Sequence, residues 1–170
     1  MPIQKNGKID IVNHENKEFD EKFYKNTLGL FSTGITVVTT INEYKKPIGM
    51  TVNSFASVSL KPALVLWSID KNQPSYNSFI NSKGYVVNIL NKNQIDLCYI
   101  FSNPSENKFK NIEWEYSKNG FPLLSNSLAW FDCMPWANYP GGDHEILVGK
   151  VSSYDQNKSE PLTYWNGSIK

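Results

Sequence analysis

The sequence predicts an all-β-dominated protein, an antiparallel barrel closed or nearly closed, with a few short helices. Runs rich in β-branched and aromatic residues recur at strand length: 35–41 (ITVVTTI), 63–69 (ALVLWSI) and 84–90 (GYVVNIL). Turn segments such as NEYKKP and PGGD join them as hairpins, and the long alternating helices of a doubly wound parallel sheet are missing. With 170 residues, 40% hydrophobic and 14% aromatic, the chain suits one domain with its own core and is not a disordered segment.

Taken in order, residues 1–17 are polar and read as an extended arm, leaving 18–170 as a single domain. From Glu18, apolar Phe19, Phe23 and Leu30 fall at helical spacings, so a short amphipathic helix is expected, ended by Gly29 and Gly34. The strand 35–41 follows. Residues 48–60 (IGMTVNSFASVSL) read as one strand, more polar than a core strand, and 63–69 as a continuous apolar one. A short helix fits between Pro74 and Ser82, with Ser75 as its cap. After the strand 84–90, residues 94–102 (QIDLCYIFS) read as a helix, and 103–126 as irregular and polar. Two last strands, 128–139 and 145–154, flank the PGGD turn.

Composition narrows the function. Seventeen basic residues face sixteen acidic ones, a balance that argues against a nucleic-acid surface. All seventeen are Lys, so an anion must be held by Lys, hydroxyls or backbone N–H groups and not by a guanidinium fork. Cys98 and Cys133 sit in apolar stretches without a cationic neighbour, which suits buried thiols and not nucleophiles. No apolar run approaches the ~20 residues of a membrane helix, and the polar start lacks a secretory h-region, so no membrane role and a cytoplasmic location are expected. Walker, GxGxxG, GxSxG, HExxH and CxxC motifs are absent.

Four stretches carry possible chemistry. In residues 49–59 (GMTVNSFASVS), strand alternation lets Thr51, Asn53 and Ser57 share one face, with Phe55 between, and turns Ser54 away. Such a row of neutral donors and acceptors suits the O2, N3 and O4 edge of an isoalloxazine ring, although composition alone favours an ordinary polar outer face. In 67–75 (WSIDKNQPS), Lys71 and Ser75 stand where a helix start would receive a phosphate, or where a solvated turn would be capped. His144 enters a strand directly after the PGGD turn, whereas His14 lies in the polar arm. Asp143 and His144, adjacent on a strand, point to opposite faces and are not automatically a dyad. The fourth, 161–165 (PLTYW), fits ring stacking or core packing.

In order and spacing, FSTGITVVTT at 31–40, GMTVNSFASVS at 49–59, PALVLW at 62–67, YVVNIL at 85–90, GDH at 142–144, GKV at 149–151 and PLTY at 161–164 closely resemble the flavin reductase-like family, whose members include reductase components of two-component flavin monooxygenases. The resemblance runs from about Phe23 to Tyr164. It implies a Greek-key split barrel of the FMN-binding type, assembled as a homodimer with FMN or FAD near the subunit interface. It also implies hydride transfer from NADH or NADPH to that flavin, and supply of reduced flavin to a monooxygenase. By the same resemblance Thr51, Val52, Asn53, Ser54 and Ser57 line the flavin, while Ser68, Lys71 and Ser75 lie near its ribityl-phosphate arm. His144 lies beside the nicotinamide as the catalytic residue, and Lys108 and Phe109 reach toward the flavin. Lys71 stands where many relatives carry Arg. Two rivals share the scaffold: a flavoprotein acting on another small substrate, and a non-catalytic FMN module for electron transfer or sensing.

Overall fold

The computed structural model describes residues 19–105 and 107–170; the predicted arm 1–17 lies outside them. Helix α1 (Glu21–Leu28) starts at Asp20, whose carboxylate accepts the Phe23 N–H at 2.9 Å. Its apolar face touches no core: none of its residues is buried. Strands β1 (Thr33–Gly34), β2 (Thr36–Ile41), β3 (Pro47–Val52), β4 (Ala56–Leu60) and β5 (Ala63–Asp70) follow. Next come α2 (Tyr76–Ile80), β6 (Tyr85–Ile89), a 3₁₀ turn at Lys92–Gln94 and α3 (Ile95–Ser102). The chain ends with β7 (Trp114–Tyr116), β8 (Pro122–Leu124), β9 (Ala129–Gly141), β10 (His144–Gln156), β11 (Thr163–Trp165) and β12 (Ser168–Ile169).

Seven strands form one antiparallel sheet in the order β3-β2-β6-β9-β10-β5-β4. Strands β3 and β4 are consecutive in the chain yet occupy opposite edges, so Asn53–Phe55 carries the backbone from one edge to the other. That geometry is a split barrel. It corrects the expectation of one strand across 48–60.

The barrel interior follows from period-two alternation. Along β5, Val65, Trp67 and Ile69 are buried while Leu64, Leu66, Ser68 and Asp70 are half-exposed. Trp67 lies edge-on to Phe79 (ring centroids 5.1 Å apart) and to Tyr85 (5.7 Å). Val38, Val52, Val87 and Leu147 complete this core. Gly149 is required where β10 passes Tyr85: a Cβ there would stand 2.3 Å from the phenol oxygen. A second cluster (Ile35, Val37, Leu90, Cys98, Phe101, Leu124, Leu162) seats α3 on the outside of the sheet.

The stretch 103–126 is not irregular throughout. It contains the β7–β8 hairpin, turned at Asn119-Gly120 with Gly120 at φ +84°, and it buries Phe121, Leu123 and Leu124. Asn166-Gly167, both at positive φ, turn β11 into β12 by the same chemistry. Both cysteines are buried and free, and burial pushes the Cys133 thiol up to about 12. No helix among the described residues is long and apolar enough to cross a membrane.

Candidate functional site

The strand-to-strand crossing, the end of β5, the loop into α2 and the β9–β10 turn converge at one end of the sheet. Ser54 fixes the crossing. Its Oγ accepts the Ser68 N–H at 2.9 Å and donates to the Ser68 carbonyl at 3.2 Å, so the crossing is stitched to β5 where a strand partner is missing. Val52 is buried in the core, and its carbonyl accepts the Thr36 hydroxyl at 3.1 Å. Asn53 and Ser57 are exposed, with Ser57 at a register shift in the β4–β5 pairing.

Because β3 ends at Val52, the single hydroxyl face anticipated for Thr51, Asn53 and Ser57 does not form. Thr51 instead donates to the Cys98 carbonyl at 2.8 Å and ties β3 to α3. Ser75 precedes α2 as its N-cap, but the hydroxyl makes no bond to the helix; it lies 4.0 Å from the Met50 sulfur. Ser68 projects from the side of β5 opposite Trp67, beside Ile146 of β10.

Across the β9–β10 turn, two backbone carbonyls are held from the β5–α2 loop. The Lys71 N–H donates to the Asp143 carbonyl at 3.0 Å and the Lys71 ammonium to the Gly142 carbonyl at 2.6 Å. Gly142 supplies the positive φ, +73°, that this turn needs. His144 opens β10 opposite Asp70, half-buried, with its Nδ1 2.8 Å from the Asp143 carboxylate. The His144 hydrogen bond and charge hold the Asp143 carboxyl below its usual range. The adjacent pair, not automatically a dyad on sequence grounds, does meet.

Lys108 is a further cation near β3. Its ammonium donates to the Gly49 carbonyl (3.3 Å) and to the Phe101 carbonyl at the end of α3 (3.1 Å), and burial lowers its pKa. The ion pairs among the described residues join Lys25 to Glu21, Lys92 to Glu160 and His144 to Asp143, so Lys108 belongs to none of them. With Ile100, Asn103 and Asn107 it lines a cavity of about 290 Å³. Phe109 packs edge-on between Phe101 and Trp114, at 5.1 and 5.4 Å between centroids.

Residues 28–170 match the family profile described as "Flavin reductase like domain". The chain belongs to the flavin reductase-like family. The reductase component of the flavin-dependent trigonelline monooxygenase of Acinetobacter baylyi is 41% identical over 144 residues, 85% of this chain and 46% of that one. The FMN reductase (NADH) SmoA of Agrobacterium fabrum is 38% identical over 88% of this chain and 85% of its own length. The chain thus spans about half of the Acinetobacter relative and most of the Agrobacterium one. Among solved structures, the Streptomyces globisporus NADH:FAD oxidoreductase SgcE6, in complex with NAD and FAD fragments, superposes with a TM-score of 0.85 at 31% identity, covering 89% of this chain and 92% of that one.

The residues at this end of the sheet fit a flavin. Half-exposed Ser68 and exposed Asn53 and Ser57 offer neutral hydrogen-bonding groups of the kind a flavin ring edge requires. Lys71, in the loop that leaves β5, adds an ammonium at this end of the sheet, the kind of cationic group a flavin's phosphate would use in a chain without Arg.

Proposed function

We propose that this chain is a cytoplasmic, homodimeric NAD(P)H-dependent flavin reductase that passes a hydride from reduced nicotinamide to FMN or FAD and supplies reduced flavin to a monooxygenase. The observation that carries this reading is the convergence of the Ser54–Ser68 stitch with the clamped His144 turn, in a chain of this family. When bound, the flavin supplies a two-electron acceptor whose N5 takes the hydride that leaves C4 of the nicotinamide. This chain's part is placement: its residues would hold the two rings together in one orientation and supply hydrogen bonds to the flavin edge.

In this reading Asn53, Ser57 and Ser68 face the ring edge, Ser54 lines the site by holding the crossing to β5, Thr51 and Val52 shape the strand end beneath it, and Lys71 and Ser75 lie toward the phosphate arm. Donors along the crossing stabilise the negative charge that develops at the N1–O2 edge. His144 binds the nicotinamide carboxamide from a strand end held on both sides. The buried thiols of Cys98 and Cys133 take no part.

Anaerobic titration of the flavin-loaded protein with NADH and with NADPH tests the proposal. The expected result is stoichiometric bleaching of the flavin by at least one of them. Absence of FMN and FAD binding in calorimetry at high micromolar flavin would overturn it.

A further inference from the structure

We infer that Asp143 is a positioning residue for His144, holding the imidazole with its proton on Nδ1 so that Nε2 offers a lone pair to the nicotinamide carboxamide N–H. The inference rests on the placement of His144 proposed above and adds the direction of its hydrogen bond.

The argument begins with the turn. Residues 141–144 form a tight connection whose Gly142 and Asp143 carbonyls are both bound by Lys71 from the neighbouring loop. The backbone that carries Asp143 and His144 is therefore fixed from outside the hairpin, and the 2.8 Å carboxylate–imidazole contact is made from two anchored residues.

A carboxylate only accepts hydrogen bonds, and a neutral imidazole has one donor nitrogen and one acceptor. With Asp143 ionised, the nitrogen facing it must carry the proton. The other nitrogen, Nε2, then has a lone pair and cannot donate unless the ring is charged. The charged neighbours are Lys71, bound to the turn carbonyls, Lys25 of α1, which interacts with the Asp143 charge, Asp70 at the register position opposite, and Glu145 next along β10. The amide N–H of a nicotinamide carboxamide is the donor that an Nε2 lone pair matches. A nicotinamide analogue whose 3-acetyl group replaces the carboxamide lacks that donor.

The experiment combines spectroscopy with rates. Two-bond proton–nitrogen correlation spectra of ¹⁵N-labelled, flavin-loaded protein in mildly alkaline buffer should show the proton on Nδ1; Asp143→Ala should move it to Nε2. A proton found on Nε2 in the unmodified protein overturns the inference. In stopped-flow reduction by NADH, Asp143→Ala should be slower by about ten-fold, and should cause no further slowing in a His144→Ala background. The unmodified protein should prefer NADH over the 3-acetylpyridine analogue by a factor that shrinks several-fold in either single variant. If His144→Ala reduces flavin at the full rate, the nicotinamide reading falls and the role of Asp143 with it. If His144→Ala is slow but Asp143→Ala is not, or is equally slowed in both backgrounds, the role of Asp143 alone is overturned. Flavin affinity within two-fold of the unmodified protein shows that the turn is intact in each variant.

Discussion

Thr51, Ser54 and Ser68 carry similar hydroxyls in the sequence, and the structure gives them different work. Thr51 is spent on the Cys98 carbonyl, Ser54 on both polar backbone atoms of Ser68, and the Ser68 hydroxyl alone makes no hydrogen bond among the described residues. Composition marked the hydroxyl-rich run, but only the paths of β3 and β4 decide which oxygens are used up in holding the fold. Ser54→Ala should cost about 1–2 kcal/mol, since it removes one accepted and one donated hydrogen bond at a half-buried position. It should also weaken flavin binding several-fold; urea denaturation beside calorimetry measures both effects. The cysteines give a sign-determined case. Burial raises the Cys133 thiol to about 12, so the folded state holds its proton more tightly than the unfolded chain does. The resulting stability is full below the unfolded thiol's pKa and declines as pH rises toward 12. A disulfide reagent at pH 8 should therefore leave both thiols unmodified in the folded protein and titrate both in denaturant. Rapid labelling of Cys133 in the native state would contradict this.

Among the elements, those whose evidence is local were readable in advance. β2, β5 and β6 are apolar runs of strand length, and the PGGD turn joins β9 to β10 as its composition predicts. The break after Val52 was not readable, because leaving one sheet edge for the other is a long-range event that no local period records. The β7–β8 hairpin was missed for a different reason: its Asn-Gly turn signal was present, but polar neighbours on both sides masked the apolar FPLL run. Helix α3 shows how an element is held close to the site. Thr51 and Lys108 bind its carbonyls, and Gly49 on β3 lets the Phe101 ring lie where a Cβ would stand 2.7 Å away. Gly49→Ala should destabilise by about 1–3 kcal/mol through overpacking. Gly34→Ala, with nothing within 4 Å of the added carbon, should stay near neutral. Thermal melts of the two variants separate a packing requirement at Gly49 from a general cost of changing strand glycines.

At the scale of the whole molecule, the described surface is too apolar for its own helices to cover. Leu60 is 91% exposed on the edge strand β4, Phe31 77% after α1, and Tyr139 and Trp136 53% and 51% on β9. Helix α1 has eight residues, none of them buried, yet Phe23, Tyr24 and Leu28 lie exposed along it. An isolated helix of that length is marginal in water, so a partner that covered its apolar side would stabilise it. Large exposed aromatics are the side chains that interfaces use, with Trp and Tyr often supplying most of the binding energy. A second copy of the chain is the partner proposed above. The expected state is a homodimer of about twice 19.4 kDa, burying on the order of 1,600 Å² in total. Light scattering at micromolar concentration should give that mass, and the melting temperature should rise with protein concentration, as it does whenever association stabilises the native state. Trp136→Glu and Phe31→Glu, made separately, should shift the mass toward the monomer. Loss of flavin affinity in step with dissociation would show that the second subunit completes the site. A monomer mass for the unmodified protein, both with and without flavin, would overturn the dimer and leave the exposed aromatics to another partner.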